Sequence, residues 1–227
     1  MADSKVIIHT DGSSLGNPGP GGYGIVLRYG DKVKEISAGY RLTTNNRMEI
    51  LAAIEALRAL NKNNRYEVVI YSDSRLLVDA INKKWIDSWQ KNRWRKSNKD
   101  KVLNVDLWLQ LLEELRDHNV KFKWVEGHAG NPDNERCDEL CKAAAMDNDN
   151  LHIDREYESS RILAGAKDPE IENEEIEAPE VVNINGRKYQ IKINNKGEIF
   201  VYSPEGNFIR IHKDDIEALI NNIRELL

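Results

Sequence analysis

Asp11, Glu49, Asp73 and Asp138 are the residues of this 227-residue chain whose types and positions best suit metal-dependent chemistry. Each stands at the border of an expected regular element. Asp11 ends an apolar strand, Asp73 follows another in Ser72-Asp73-Ser74, Glu49 begins the first long helix and Asp138 begins the last. If the two strands are neighbours and both helices start at the same end of the sheet, four carboxylates share a small volume. Clustered carboxylates repel and raise one another's pKa unless a cation is present, so the grouping points to a bound divalent metal. Oxygen-only donors suit magnesium or manganese. Taken singly, each acid has a plainer reading as a turn residue, a first-turn charge near the helix dipole or a surface acid. His128 lies in Gly127-His128-Ala129-Gly130, where an imidazole of near-neutral pKa suits proton transfer or product release.

The elements that would bring these groups together are legible as patterns. Val6-Ile7-Ile8 reads as a strand, Gly12 to Gly22 as a turn and Tyr23 to Leu27 as the antiparallel return. A third strand is expected around Ile36 to Tyr40. A helix led in by Asn45-Asn46-Arg47-Met48-Glu49 carries Leu51, Ile54, Leu57 and Leu60 on one face. Val68 to Tyr71 has the pattern of a buried strand; two helical stretches, a fifth strand at Lys121 to Val125 and a helix near Asn134 to Ala145 follow. A strand-helix-strand series after a meander implies a mixed sheet flanked by helices.

Hydrophobic residues make up 40% and charged residues 31% of the chain, and no run approaches the roughly 20 apolar residues of a membrane span. No basic region followed by a long apolar stretch opens the sequence, so a cytoplasmic protein with no membrane partner is expected. The two cysteines, Cys137 and Cys141, are spaced as neighbours on one helical face rather than as a zinc framework. The net charge of -5 is unevenly spread: residues 1–150 hold 23 basic and 22 acidic side chains, residues 151–227 hold 10 and 16. Much of the acidity falls between Lys167 and Glu180, bounded by Pro169 and Pro179, a self-repelling stretch expected to be an extended linker. Beyond it, alternating segments separated by turn residues from Val181 to Ile211 read as a small β-meander, and Ile216, Leu219, Ile220, Ile223 and Leu227 as a terminal helix. The expected organisation is therefore a first domain at 1–150, a helix end and acidic linker at 151–180, and a second domain at 181–227.

The ordered blocks Thr10-Asp11-Gly12-Ser13, Gly16 to Gly24, Thr43 to Glu49, Ser72-Asp73-Ser74 and Gly127 to Leu140 resemble type 1 ribonuclease H, in order, across residues 5 to about 147. The resemblance implies an α/β fold, a ribonuclease H-like five-stranded mixed sheet with helices on both faces, and hydrolysis of the RNA strand of RNA/DNA hybrids. It makes Asp11, Glu49, Asp73 and Asp138 the metal-binding catalytic acids and His128 an assistant. Two magnesium ions about 4 Å apart would straddle the scissile phosphate, with manganese as a possible substitute, leaving 5′-phosphate and 3′-hydroxyl ends. Asn134 would support substrate or water placement.

Between Lys83 and Lys101 eight basic residues, Lys91 among them, face only Asp87 and Asp100, with Trp85, Trp89 and Trp94 interleaved. Basic charge grips phosphates without reading sequence and aromatic faces pack on sugars and bases; the plainer alternative is a helix whose tryptophans are core. By the resemblance, Asn17, Asn45 and Asn46 line the substrate groove, and Thr44 and Asn92 belong to a pocket for a DNA phosphate. Two positions depart from the family pattern: Leu42 stands where an arginine often helps that pocket, with Arg41 or Arg75 as candidate substitutes, and Arg75 replaces a polar amide. The second domain has no such resemblance; with seven basic and six acidic residues it is a candidate to contact duplex, the first domain or a second copy, and a monomer is expected. No basic module precedes Lys5, so an accessory grip on duplex is expected to come from the C-terminal side or to be missing. A junction or integration nuclease would share the acids but not the histidine loop together with the basic protrusion, and a non-catalytic binding module would lack one or more acids.

Overall fold

In the computed structural model, residues 5–127 and 129–163 are described, together with the backbone of four strands between 180 and 211. The chain divides into two compact units, Met1–Tyr157 and Glu158–Leu227. The first unit runs past the expected boundary at 150. The segment after the helix that ends at Met146 is tied back to it: His152 N donates to Gly39 O at 2.8 Å and Arg41 N donates to His152 O at 3.0 Å.

The first unit is built on strands β1 (Val6–Ser14), β2 (Gly19–Tyr29), β3 (Lys32–Thr43), β4 (Glu67–Ser72) and β5 (Asn119–Trp124), in the sheet order β3-β2-β1-β4-β5. β1 to β3 pair antiparallel, whereas β4 joins β1 and β5 joins β4 in parallel. That is the expected mixed sheet. The unit's helices are α1 (Asn45–Arg58), α2 (Arg75–Asn82), α3 (Trp85–Lys91), α4 (Val105–Glu114) and α5 (Pro132–Met146), and α6 (Arg155–Leu163) contains the boundary between the two units.

Three details differ from the sequence reading. The glycine-rich stretch is mostly strand: Gly12 to Ser14 extend β1 and Gly19 to Gly22 open β2, paired from Asp11 opposite Gly24 to Ser14 opposite Gly21. The glycines there serve close packing rather than turning. Gly12 faces α1, where a Cβ would meet Glu49 N and Met48 Cβ; Gly22 and Gly24 lie under α5, where a Cβ would meet Cys141 O at 2.6 Å and Cys137 O. Second, three helices rather than two separate β4 from β5, because Lys84 takes a left-handed φ of 55° between α2 and α3, and Arg93 and Trp94, at 53° and 56°, turn the chain out of α3 before α4 begins. Third, α5 starts at Pro132, where Asn131 caps it by accepting from Asp133 N and Asn134 N at 3.1 and 3.3 Å. Asp138 therefore lies in the second turn of its helix and Glu49 in the second turn of α1, not at their starts.

The core lies between the sheet and α1, with Val6, Ile8, Ile25, Ile50, Ile54, Leu57, Val68 and Ile70 all nearly inaccessible, and Trp108 and Leu111 of α4 completing it. Each such side chain contributes roughly 1.5–3 kcal/mol on burial. Leu51, Ile54, Leu57 and Leu60, the face expected from the spacing, are all buried.

The second unit contains β6 (Glu180–Ile184), β7 (Arg187–Ile193), β8 (Ile199–Tyr202) and β9 (Phe208–Ile211), an antiparallel meander in sequential order. The acidic linker up to Pro179, the terminal helix expected after His212, and His128 lie outside the described residues. No helix among the described residues is long and apolar enough to cross a membrane.

Candidate active site

Strand register positions the first pair of acids. β1 and β4 are matched up to Thr10 opposite Ser72, so Asp11 and Asp73 come next to each other just where β4 stops. β1 continues to Ser14 with β2 alone, which opens a notch beside Asp11. Glu49 enters that notch from α1 because Gly12 lets the helix backbone touch the strand. One carboxylate oxygen from each of Asp11, Glu49 and Asp73 lies within 4.8 Å of the others.

The fourth acid arrives from the opposite face. Residues alternate across a strand, so Asp11 and its partner Gly24 share the side covered by α5. There Asp138 and Cys141 form a second group with Asp11, its donor atoms also within 4.8 Å of one another. Cys141 Sγ lies 3.4 Å from Asp11 Oδ2, 3.2 Å from Ser13 Oγ and 3.2 Å from Asp138 O. Lys142 Nζ pairs with Asp138 Oδ2 at 2.7 Å.

The electrostatics are those of a cluster short of positive charge. Burial, then the charges of Asp73 and Asp138, push the Asp11 carboxyl up to about 6. Glu49 is raised well above the carboxylate range by burial first and then by Asp11 and Asp73. Its Oε2 is buried with no hydrogen-bond partner among the described residues. An orphaned carboxylate oxygen beside two further carboxylates is the arrangement a hard divalent cation completes, so the donor set fits magnesium or manganese. Burial also raises the Cys141 thiol, which stays protonated near neutrality.

The end of β5 and the loop after it press on the same spot. Trp124 Nε1 donates to Asp73 O at 3.1 Å, and a Cβ on Gly127 would meet Asp73 Oδ2 at 2.7 Å. The Arg75 guanidinium lies 3.4 Å from the centroid of the Trp124 ring, a cation–π stack at the start of α2 close to Asp73.

The expected substrate contacts fall into two sets. Asn17 is exposed between β1 and β2, while Thr44, half-buried, precedes the exposed Asn45 and Asn46 at the start of α1. Asn45 Oδ1 accepts from Ser14 N at 2.6 Å and Ser14 Oγ at 2.7 Å, joining the hairpin to the helix. In the second set Lys91 and Asn92 are exposed at the end of α3, but Trp85, Trp89 and Trp94 pack partly buried against the core. Trp89 lies 5.7 Å from the buried Trp108, centroid to centroid. The tryptophans thus anchor the basic protrusion on the fold. Asn134 is 3% exposed, its Oδ1 without a partner among the described residues.

Sequence reasoning missed Arg47. Its side chain is buried and makes paired hydrogen bonds to Asp154 (2.6 and 2.8 Å) and Asp106 (2.6 and 3.0 Å), with Thr43 Oγ1 donating to Asp154 Oδ2 at 3.0 Å. This clamps the start of α1, two residues before Glu49, to the start of α4 and to the segment after α5. No local signal marks it, since the partners are 59 and 107 residues away. Cys141 was missed as a neighbour of Asp11, although its spacing of three from Asp138 places both on one helical face.

Comparison with known proteins gives concordant matches. The RNase H family model matches residues 3–146. The ribonuclease H of Syntrophus aciditrophicus is 59% identical over 141 residues, covering 62% of this chain and 80% of that protein. The ribonuclease H of Escherichia coli O9:H4 is 55% identical over 142 residues, covering 63% and 90%. Among solved structures, LC9-RNase H1, a type 1 RNase H with the type 2 active-site motif, is 32% identical with a TM-score of 0.57, over 64% of this chain and 74% of that one. The N-terminal RNase H domain of a Mycobacterium tuberculosis protein is 27% identical with a TM-score of 0.50, over 63% and 94%.

Proposed function

The chain belongs to the ribonuclease H family, in its bacterial type 1 form, and from that premise we propose that it hydrolyses the RNA strand of RNA/DNA hybrids by a two-metal-ion mechanism, leaving 5′-phosphate and 3′-hydroxyl ends. The observation that carries the reading is the meeting of Asp11, Glu49 and Asp73, with Asp138 joining through Asp11. When bound at these acids, two magnesium ions supply a hydroxide nucleophile at neutral pH and stabilise the leaving oxygen.

The chain's own residues hold and orient. Asp11 is central, belonging to both donor groups, and its backbone neighbour Gly12 donates to its Oδ1 at 2.9 Å, which fixes the carboxylate plane. Glu49 presents an oxygen already stripped of water and of protein partners. Asp73 is set by the β4 end and by Gly127. His128, next after Gly127, is assigned proton transfer or product release by its place in the family motif, and Asn134 a supporting role on the face of α5 that also bears Asp138. Asn17, Asn45 and Asn46 line one side of the groove, where asparagine amides can distinguish a ribose 2′-hydroxyl from its absence, and Thr44 belongs with Asn92 to a pocket for a DNA phosphate. Lys91 and Asn92, carried by a protrusion anchored through Trp85 and Trp94, hold the DNA backbone. Arg75, fixed on Trp124 beside Asp73, is placed to supply positive charge to the substrate where the family has an amide. The catalytic domain is 1–150 extended by the segment to Tyr157 that pairs with β3, a linker leads on to a second domain at 181–227, and the protein acts as a monomer.

Labelled RNA/DNA hybrid, RNA/RNA and DNA/DNA duplexes of one sequence, incubated with the protein and magnesium, test this directly. Only the RNA strand of the hybrid is cut, and the upstream product carries a 3′-hydroxyl. Equal cutting of RNA/RNA or any cutting of DNA/DNA overturns the hybrid assignment.

A further inference from the structure

Cys141 has no part in the chemistry just proposed, yet its sulfur lies among the oxygens of the acid cluster. We infer that Asp11, Asp138 and Cys141 form a mixed oxygen–sulfur cation site, which takes a thiophilic divalent ion of the zinc or cadmium class and so withdraws Asp11 from the magnesium-binding group. The inference rests on the metal-dependent reading of that cluster.

The geometry comes from two elements. β1 supplies Asp11, and α5 supplies Asp138 and Cys141 at a spacing of three, on one face of the helix. The helix can lie that close because Gly22 and Gly24 carry no side chain where Cys141 O and Cys137 O pass. The three donor atoms lie within 4.8 Å of one another. Zinc binds oxygen at roughly 2.0–2.2 Å and sulfur at roughly 2.3 Å, so donors around one ion stand somewhat under 4 Å apart, and side-chain rotation of about an ångström closes the set.

The sulfur is buried and surrounded by oxygens: Asp11 Oδ2, Ser13 Oγ and Asp138 O all lie within 3.4 Å. A thiol has one proton and can satisfy one acceptor at a time. Asn134, spaced at i, i+4 and i+7 with Asp138 and Cys141 on α5, has its Oδ1 buried and unpartnered among the described residues. Asp138 Oδ2 is paired with the exposed Lys142 Nζ at 2.7 Å, and an ion at this site displaces that ammonium.

The sulfur decides which ion. Magnesium prefers carboxylate and water oxygens, whereas thiolate selects softer ions. Asp11, Glu49 and Asp73 therefore suit the hard ion, and the group containing Cys141 suits a soft competitor. Coordination breaks the Cys141 S–H bond; the proton passes to solvent, the sulfur lone pair goes to the ion, and no oxidation state changes. Cys137, four residues earlier on the same helix, is an internal control: its Sγ donates to His9 O at 3.2 Å, and it belongs to neither donor group.

The test is cobalt(II) titration of the metal-free full-length protein, followed by the sulfur-to-cobalt charge-transfer absorption, in the wild type, Cys137→Ala and Cys141→Ala. The band is expected in the first two and absent in the third. In parallel, the cadmium concentration that halves hybrid cleavage in magnesium, taken relative to each protein's own uninhibited rate, is expected to rise at least ten-fold in Cys141→Ala. Circular dichroism checks the fold, and Cys141→Ser repeats both measurements if the alanine variant is unfolded. No band in the wild type, or an undiminished band in a folded Cys141 variant, overturns the site. Hybrid cleavage by the wild type in magnesium alone is scored separately: its absence would sink the nuclease reading while the cobalt band still decides the cation site.

Discussion

The backbone nitrogen of Glu49 fills the space that a side chain on Gly12 would need. Two acids of the cluster, Asp11 and Glu49, flank this contact, so the distance between them is set by the absence of one methyl group. Gly12→Ala is expected to push α1 off β1, destabilising the protein by about 1–3 kcal/mol through overpacking and lowering kcat/KM by roughly 10²-fold, in line with an ångström-scale displacement of catalytic groups. Urea unfolding and hybrid cleavage measure the two effects. A variant with wild-type turnover would show that the close contact does not govern the spacing of the acids.

The metal-free protein is expected to lose stability as pH rises from 4 to 7. Asp11 goes from an ordinary 3.8 to about 6 in the folded protein, and Glu49 moves in the same direction. The folded state then binds more protons than the unfolded state, so the stabilisation is complete below pH 4 and is lost as pH passes through 6. For Asp11 the shift corresponds to about 3 kcal/mol at 1.36 kcal/mol per unit. Magnesium replaces the missing positive charge, so the rise in melting temperature on adding it is larger at pH 8 than at pH 5. A magnesium effect equal at both pH values, or larger at pH 5, would contradict the electrostatic account.

Arg47 is 3% exposed and Asp154 is 8% exposed, and their pairing has no water to fall back on. Removing one member of such a pair strands the other, which costs about 3–5 kcal/mol. Asp154→Ala is therefore expected to lower the unfolding free energy measured in urea by that amount, and Arg47→Lys to be clearly destabilised as well, because an ammonium cannot serve two carboxylates in paired fashion. A change below about 1 kcal/mol in Asp154→Ala would show the network to be dispensable.

Lys91 and Lys96 are exposed on the basic protrusion. Replacing both with alanine is expected to leave stability within about 0.5 kcal/mol, to weaken hybrid binding at low salt, and to reduce the slope of log affinity against log salt by about 2, one for each phosphate that no lysine then neutralises. Fluorescence anisotropy across a salt series checks it. An unaltered slope removes these lysines from the interface.

How far the sequence could be read follows from which interactions are local. The β1 and β4 strands announce themselves as Val6-Ile7-Ile8 and Val68-Val69-Ile70, and Asp11 and Asp73 are legible as residues just beyond them. Glycine is ambiguous: Gly12 and Gly22 read as parts of a turn, yet the structure uses them inside paired strands where α1 and α5 approach, a use that only the tertiary fold reveals. The tryptophans illustrate the same limit. Basic charge around Trp85 and Trp94 suggests stacking on substrate, while their partial burial against the core, visible only once α4 brings Trp108 alongside Trp89, adds an anchoring role that the charge pattern does not announce. Arg47 had no readable role, because its partners lie 59 and 107 residues away, whereas Cys141 was legible only as a helical neighbour of Asp138, its approach to Asp11 depending on how α5 packs on β1.

The most direct test of the acid cluster pairs magnesium binding by calorimetry with single-turnover hybrid cleavage, in the wild type and Asp73→Asn. An amide is a poor ligand for a hard cation, so the variant is expected to stay folded, to bind magnesium more weakly and to cleave at least roughly 10³-fold more slowly, about 4 kcal/mol less transition-state stabilisation. Near wild-type cleavage by a folded Asp73→Asn protein would contradict the assignment of catalysis to these carboxylates.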